Sequence, residues 1–260
     1  MASSLALLAS RRRGIHLPNV NVLHRNRRRP PGPVKVSSCA AAGGGGGGGF
    51  AWVSKTNNQV SCATDEDVGA IVNLQTDAFH VPMEGPLSVM DSLMKQQFNA
   101  EVLSLMRSKM RAQWPTKFQG RKPEEARYTV VVARNEGGDV VGVCDVCEAK
   151  VEQRLAQSLS EKHGTAVDNY VFVSCMAVAP EARRRGVASA LLDAASELAG
   201  EWRSDGGVGS AAGIIGLDVY QDNMVAIKVY EANGYTRATA DPPWSWAYGQ
   251  RPRICLSKTF

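Results

Sequence analysis

Between Tyr170 and Trp202 an apolar, β-branched run, Tyr170-Val-Phe-Val-Ser-Cys-Met-Ala-Val178, passes through Ala-Pro-Glu-Ala into Arg183-Arg184-Arg185-Gly186-Val187-Ala188-Ser189. A helical pattern follows, with Val187, Leu191, Leu192, Ala195, Leu198 and Trp202 on one face. This is a strand, a basic glycine turn and a helix, elements of an ordinary α/β domain. The turn itself is an anion cradle. The first N–H groups of a helix have no partner, the helix dipole points positive charge outward, and Gly186 removes a side chain that would block close approach. Ala188 keeps a second approach point open, and arginines add charge-assisted contacts to phosphate oxygens. A pyrophosphate suits that geometry, although three arginines alone suit equally a solvated run before an ordinary helix. The turn is not a P-loop, because Gly-x4-Gly-Lys-Ser/Thr is absent, and no Gly-x-Gly-x-x-Gly opens a βαβ unit.

The formal net charge of +5 belongs to the first 50 residues. They hold eight bases (Arg11, Arg12, Arg13, Arg25, Arg27, Arg28, Arg29, Lys35) and no acid, and the first acidic side chain is Asp65. The remaining 22 bases face all 25 acids, a net of −3, which argues against a nucleic-acid-binding or membrane-binding body. No run approaches the roughly 18 consecutive apolar residues of a spanning helix. The leader begins Met-Ala-Ser-Ser and places its arginines after the apolar run Leu5–Ala9. It continues through Pro30, Pro31 and Pro33 to Val36-Ser-Ser-Cys-Ala40 and seven glycines, Gly43–Gly49. That composition is expected of an organelle transit peptide, plastid in the first instance with a mitochondrial presequence as competitor; a disordered basic arm with a glycine linker is the other reading. Residues 1–50 are therefore set apart from a folded domain over 58–260, long enough for one core.

Cys39, Cys62, Cys144, Cys147, Cys175 and Cys255 have the irregular spacing of a reducing compartment. Cys144 and Cys147 are three apart in a strand pattern, where they face opposite sides, and no second Cys-x-x-Cys completes a zinc site, so no metal is expected. Val60–Ala63 is a strand candidate. Thr64 with Asp65, Glu66 and Asp67 starts a helix that carries Val68, Ile71, Val72, Leu74, Gln75 and Phe79 and ends near Pro82. A second helix, about Leu87 to Ala112, presents Leu93, Met94, Phe98, Val102, Leu105 and Met106, and Trp114-Pro115 stops it. Tyr128–Ala133 and Val140–Cys147, joined by Arg-Asn-Glu-Gly-Gly-Asp, form a hairpin. Residues 153–162 read as a loop or a short helix, Ile214–Tyr220 as a strand, and Asn223–Ala232 as a helix closed by Gly234.

Arg183-x-x-Gly186-x-Ala188, after a strand ending Met176-Ala177-Val178 and before Leu-Asp-Val, Asn223, Ala226 and Tyr230-Glu-Ala-Asn-Gly-Tyr235, resembles the GNAT acetyltransferase superfamily over roughly Val60 to Phe260. The resemblance implies a mixed sheet of about six to seven strands flanked by about four helices, with acetyl-CoA as co-substrate. It implies that the turn Arg183–Ser189, with Arg184, Arg185, Gly186, Val187 and Ala188, holds the pyrophosphate. Met176, Ala177 and Val178 pair with the pantetheine as an extra strand would, Asn223 meets the pantetheine arm, and Tyr230 meets the thioester sulfur. Asn223 and Tyr230 are seven apart, two helical turns, and so share a face.

The implied reaction is attack of a neutral amine on the thioester, with Tyr230 protonating the departing thiolate. A lysine with pKa near 10.4 is neutral about once in 10³ molecules at neutral pH, an α-amine near 7.7–8.0 about once in ten, so a lysine acceptor needs a base more. Asp218 matches the place where some N-terminal-acetylating members carry a glutamate and is the leading base, alone or through a water; a structural ion pair is its other reading. His80 and His163 are read as surface residues without a local partner. Two segments, His80–Leu87 and Asp241–Gln250, wall the acceptor groove in this fold. The latter carries Trp244, Trp246 and Tyr248, which form either an apolar wall for a peptide or a plug under the loop. Protein N-termini and lysine side chains are the first choice of acceptor. A small amine is the runner-up, and a non-catalytic acetyl-CoA-binding module the remaining class.

Overall fold

The computed structural model describes residues 51–53, 58–83, 85–113, 127–151, 153–164, 166–206 and 212–260. The leader 1–50 with its processing stretch and Cys39, and the Trp114-Pro115 helix stop with the loop after it, lie outside them. The strands are β1 (Ala51–Val53), β2 (Gln59–Cys62), β3 (Tyr128–Arg134), β4 (Val140–Lys150), β5 (Asn169–Val178), β6 (Ile214–Tyr220), β7 (Thr236–Ala240) and β8 (Arg253–Thr259). The helices are α1 (Val68–Phe79), α2 (Asp91–Ala112), α3 (Gln153–His163), α4 (Val187–Ser204) and α5 (Met224–Ala232).

Among the described residues the eight strands make one sheet in the order β1-β2-β3-β4-β5-β6-β8-β7. All neighbours are antiparallel except β5 and β6. This is the expected mixed sheet with helices on it, larger than six or seven strands because of pieces that carry little pattern. β1 has three residues, too few for a period, and every residue of β7 is at least partly exposed, so neither shows apolar alternation.

Two cores share the sheet. On one face α4 buries Val187, Leu191, Leu192, Ala195, Leu198 and Trp202, the whole stripe expected of it, against Val131, Val146, Val171, Val173, Leu217 and Leu256. On the other, Ile71 and Val72 of α1 and Met106 and Met110 of α2 cover Val130, Val132, Val143 and Ala177, while Leu159 of α3 packs with Tyr170 and Ile214. Cys144 and Cys147 face opposite ways as expected, Cys144 inside the α4 core and Cys147 opposite Tyr128 and Phe172. Leu93 departs from its expected place and is 60% exposed. The segment Gly85–Met90 is a 3-10 turn, and Asp91 begins α2 by accepting the Met83 N–H at 2.8 Å, so the first turn of α2 stands clear of the core.

α4 seats closely on β4. A Cβ on Gly142 would lie 2.6 Å from Val187 Cγ1 and 3.1 Å from Leu191 Cδ1. Gly142→Ala must therefore push away the first residue of α4. It is expected to cost about 1–3 kcal/mol, a fall of roughly 2–10 °C in Tm for a domain of this size. An unchanged thermal midpoint would show that the helix is not held there.

The two parallel strands part company midway. β5 pairs with β6 only through Val171–Val173 and Ile215–Leu217. Beyond that, β6 continues to Tyr220 bonded to β8 alone, and β5 continues to Val178 bonded to β4 alone. The cause is a bulge. Val143 faces Ala177 and Asp145 faces Ser174, so Cys175 and Met176 stand opposite Cys144 by itself, and Cys175 takes φ +52. An extra residue bends its strand and shifts alternation by one. Accordingly Val171 and Val173 face α4 before the bulge, and Met176 and Val178 pack there after it, while Ala177 turns to the α1/α2 core. The result is a notch through the sheet between two unpaired strand edges.

Candidate active site

The backbone edge of β5 in this notch can be assigned. Ala179 donates its N–H to Val141 O at 2.9 Å, and polar groups on a strand alternate sides. Ala177, opposite Val143, therefore also turns to β4, and Val178 between them presents its N–H and C=O to the open side, with Met176 of the bulge next along the strand. Arg183 Nε donates to the Val178 carbonyl at 3.2 Å, which ties the turn to the strand end.

The chain then makes a 3-10 turn, Pro180–Ala182, and reverses through Arg184 at φ +62 and Gly186 at φ +80. Gly186 is the N-cap of α4 and no side chain caps that end. The first helical bond runs from Ala190 N–H to Gly186 O at 2.9 Å, leaving the N–H groups of Val187, Ala188 and Ser189 without helical acceptors. Arg184 and Arg185 are exposed. The seven residues Arg183–Ser189 thus form one turn directly beyond Met176–Val178, at the wide end of the notch.

α5 follows the end of β6, where the Asn223 N–H donates to Tyr220 O at 3.0 Å. Asn223 is its N-cap, with Oδ1 accepting the Ala226 N–H at 3.2 Å; the helix proper starts one residue later than expected, and this carbonyl oxygen serves the cap. Tyr230, two turns on, packs partly buried against the α4 core, as do Met176 and Val178, and lies edge-on to Tyr235 at 6.2 Å. Burial, helped by Cys144, pushes its phenol up to about 12, so it keeps its proton throughout the physiological range. Gly234 at φ +84 ends the helix as expected. Asn233, which no motif singles out, joins the two helices: its Nδ2 donates to Ser189 Oγ at 3.0 Å and to Val229 O at 2.7 Å. In sequence, Asn-Gly after a helix signals only a turn.

Asp218 lies on β6 just past its last pairing with β5. Leu217 and Val219 on either side face the α4 core, so Asp218 points to the opposite face, its side chain 31% exposed and 3.5 Å from Arg253 Nη1. Arg253 also approaches Asp241 at 3.6 Å. Burial, then the Asp218 carboxylate opposite it, pushes the Cys255 thiol up to about 12. Asp218 and Tyr230 therefore stand on opposite faces of the sheet.

The two histidines, expected at the surface without a local partner, are partly buried and have partners from other elements. His80 Nε2 is 3.0 Å from Asp91 Oδ1, with the imidazole 10% exposed, and links α1 to α2. His163 ends α3 with Nε2 2.9 Å from Ser257 Oγ; burial and then Lys162 hold its pKa down. Both partners lie far off in sequence, where no local pattern reveals them. Trp244 and Trp246 are 63% and 51% exposed on the 3-10 turn Pro243–Tyr248, so they do not plug the core; the Tyr248 side chain lies outside the described residues. Among the described residues no group of three His, Cys, Asp or Glu side chains could hold a metal, and no helix is long and apolar enough to cross a membrane.

The chain is similar to GCN5-related N-acetyltransferase 10, chloroplastic, of Arabidopsis thaliana, at 28% identity over 197 residues, 75% of this chain and 69% of the relative. It is 33% identical over 121 residues to GCN5-related N-acetyltransferase 7, chloroplastic, of the same plant, covering 45% of this chain and 40% of the relative. A solved N-acetyltransferase from Staphylococcus aureus Mu50 aligns at 17% identity with a TM-score of 0.47, over 78% of this chain and 98% of that one. The model of the Acetyltransferase (GNAT) family matches residues 99–235, from the middle of α2 to just past α5, a span that holds both edges of the notch. More than half of the sequence is thereby accounted for, and the chain belongs to the GNAT family as an acyltransferase that uses acetyl-CoA.

Proposed function

We propose that this chain is a plastid protein N-acetyltransferase that moves acetyl from acetyl-CoA to N-terminal α-amines and lysine ε-amines, with the notch between β5 and β6 as its reaction site. The observation that favours a protein acceptor is the uncovered apolar surface on the two loops that the family resemblance sets beside the acceptor. Val89 is 85% exposed next to one, Trp244 and Trp246 are exposed on the other, and a small amine would instead want an enclosed, mostly apolar pocket. Plastid location rests on the acid-free leader and on two relatives named chloroplastic. Edman sequencing of the protein from its tissue should find the first 40 or so residues gone; an intact Met1 would contradict that part.

The residues suit acetyl-CoA: an uncapped helix start behind a left-handed glycine, flanked by arginines, lies at the end of an unpaired strand edge. When bound there, acetyl-CoA supplies an activated thioester carbonyl. The N–H groups of Val187–Ser189 and the guanidinium groups of Arg184 and Arg185 bind the pyrophosphate, while Arg183 fastens the turn to Val178. Met176 and Val178 offer backbone bonds on either side of the inward Ala177, and Asn223 lines the same groove from α5. Tyr230 holds a proton beside the sulfur. A phenol near 12 is a weaker acid than a thiol of about 8.5, so full transfer to a free thiolate is uphill; it donates a hydrogen bond as charge builds on sulfur, and the proton that completes the thiol is made good from water. Asp218, across the notch, removes the proton from the acceptor ammonium.

Asp218→Asn should lower kcat/KM about 10²-fold with a peptide amine at neutral pH, and the deficit should shrink as pH rises and the amine deprotonates unaided. A deficit that is the same at pH 7 and pH 9.5 would take the base role from Asp218. For the acceptor, the chain is co-expressed with a bacterial proteome and acetylated peptides are counted against the Gly186→Glu variant. Both N-terminal and lysine acetylation should rise, and neither rising would point to a small amine.

A further inference from the structure

A buried polar cluster beneath the bulge has no part in the mechanism above. Lys109 on α2 is ion-paired with Asp145 on β4, their side chains 4% and 2% exposed. Burial would favour the neutral amine, but Asp145 prevails and holds the ammonium. Asp145 faces Ser174, the last residue before the bulge. Lys109 Nζ also reaches Cys175 Sγ at 3.8 Å, and Gln75 of α1 donates Nε2 to the Cys175 carbonyl at 3.4 Å. Two helices and a strand thus send polar groups to one residue. A buried ion pair adds little stability, because desolvation offsets its attraction and apolar residues fill such a site as well. What this pair touches is more telling: a non-glycine residue at φ +52, a conformation that only glycine adopts readily.

We propose that the Lys109–Asp145 pair, with Gln75, is a positioning device that keeps Cys175 in its left-handed conformation and so holds the Met176–Val178 backbone edge aimed into the notch. The proposal rests on acetyl-CoA binding in that notch. If Cys175 relaxed to negative φ the bulge would slip by one residue, and Ala177 would trade faces with Met176 and Val178. The strand would still be a strand, but its outward groups would be the wrong ones.

The double variant Lys109→Met/Asp145→Leu in the full chain removes both charges without leaving one unpaired. Its Tm should stay within about 5 °C of wild type. KM for acetyl-CoA should rise and kcat fall, each about tenfold, as expected for displaced binding groups. Adding Cys175→Gly, which holds positive φ unaided, should recover most of the lost kcat/KM. Wild-type kcat and KM in the double variant, or a loss that Cys175→Gly leaves unrepaired, would overturn the proposal. Should the double variant not fold, Gln75→Leu removes the other tether. It should raise KM about threefold, again repaired by Cys175→Gly, and an unchanged KM would overturn the proposal. Calorimetric titration of wild type and Gly186→Glu with acetyl-CoA separates the two ideas. Equal binding by both removes the notch as the site, whereas tight binding by wild type alone leaves only the positioning role at stake.

Discussion

Gly186→Glu is expected to abolish acetyl-CoA binding while leaving the protein folded. Gly186 adopts φ +80 at the N-cap of α4, where an L-residue costs about 1–2 kcal/mol. The new side chain would occupy the space above the free N–H groups of Val187–Ser189, and its carboxylate would take the place of the phosphate charge those groups and Arg184 and Arg185 would otherwise bind. The dissociation constant should rise at least about 100-fold, or 2.7 kcal/mol. Gly186→Ala, with strain but no charge, should give a loss of roughly tenfold. Calorimetric titration with CoA checks both, and a glutamate variant that binds as wild type would remove the turn from the cofactor site.

Tyr230→Phe should leave acetyl-CoA affinity within about twofold and reduce kcat about 10²-fold, the usual loss for one donor aimed at developing charge. The ring packs partly buried against the α4 core, and phenylalanine keeps that packing. Because burial holds the phenol near 12, the wild-type rate should climb with pH as the acceptor amine deprotonates and show no descending limb up to about pH 10. An unchanged kcat in the phenylalanine variant, or a descending limb at pH 8–9 that the variant lacks, would dismiss Tyr230 as the acid.

Much of this architecture was legible because its signals are local. The β3–β4 hairpin follows from two β-branched runs around Asn-Glu-Gly-Gly. The α4 stripe from Val187 to Trp202 was buried as its spacing indicated, and Gly234 closed α5. The notch was not legible from the residues alone. It arises from a single extra residue in β5, and a bulge changes which side of the sheet Met176 and Val178 occupy without altering their apolar character. Nor were Lys109 and Asp145, since a lysine on a helix and an aspartate in a strand look like solvated side chains until two elements 36 residues apart bring them together. His80, His163 and Asn233 share that cause, their partners Asp91, Ser257 and Ser189 being set by packing rather than by neighbourhood. Leu93 failed in the reverse direction, because helical spacing continues past the point where α2 leaves the core.

Hydrogen exchange read by mass spectrometry, with and without saturating acetyl-CoA, tests the notch most directly. Amides of Met176 and Val178, past the last β5–β6 pair, and of Val187–Ser189, in the first turn of α4 where helical acceptors are lacking, should exchange rapidly in the free protein. Acetyl-CoA should slow exchange in the peptides that cover 174–178 and 186–189 together, while β3 and β8 are unaffected. Binding that protects neither segment, or protects other parts of the chain alone, would contradict the account.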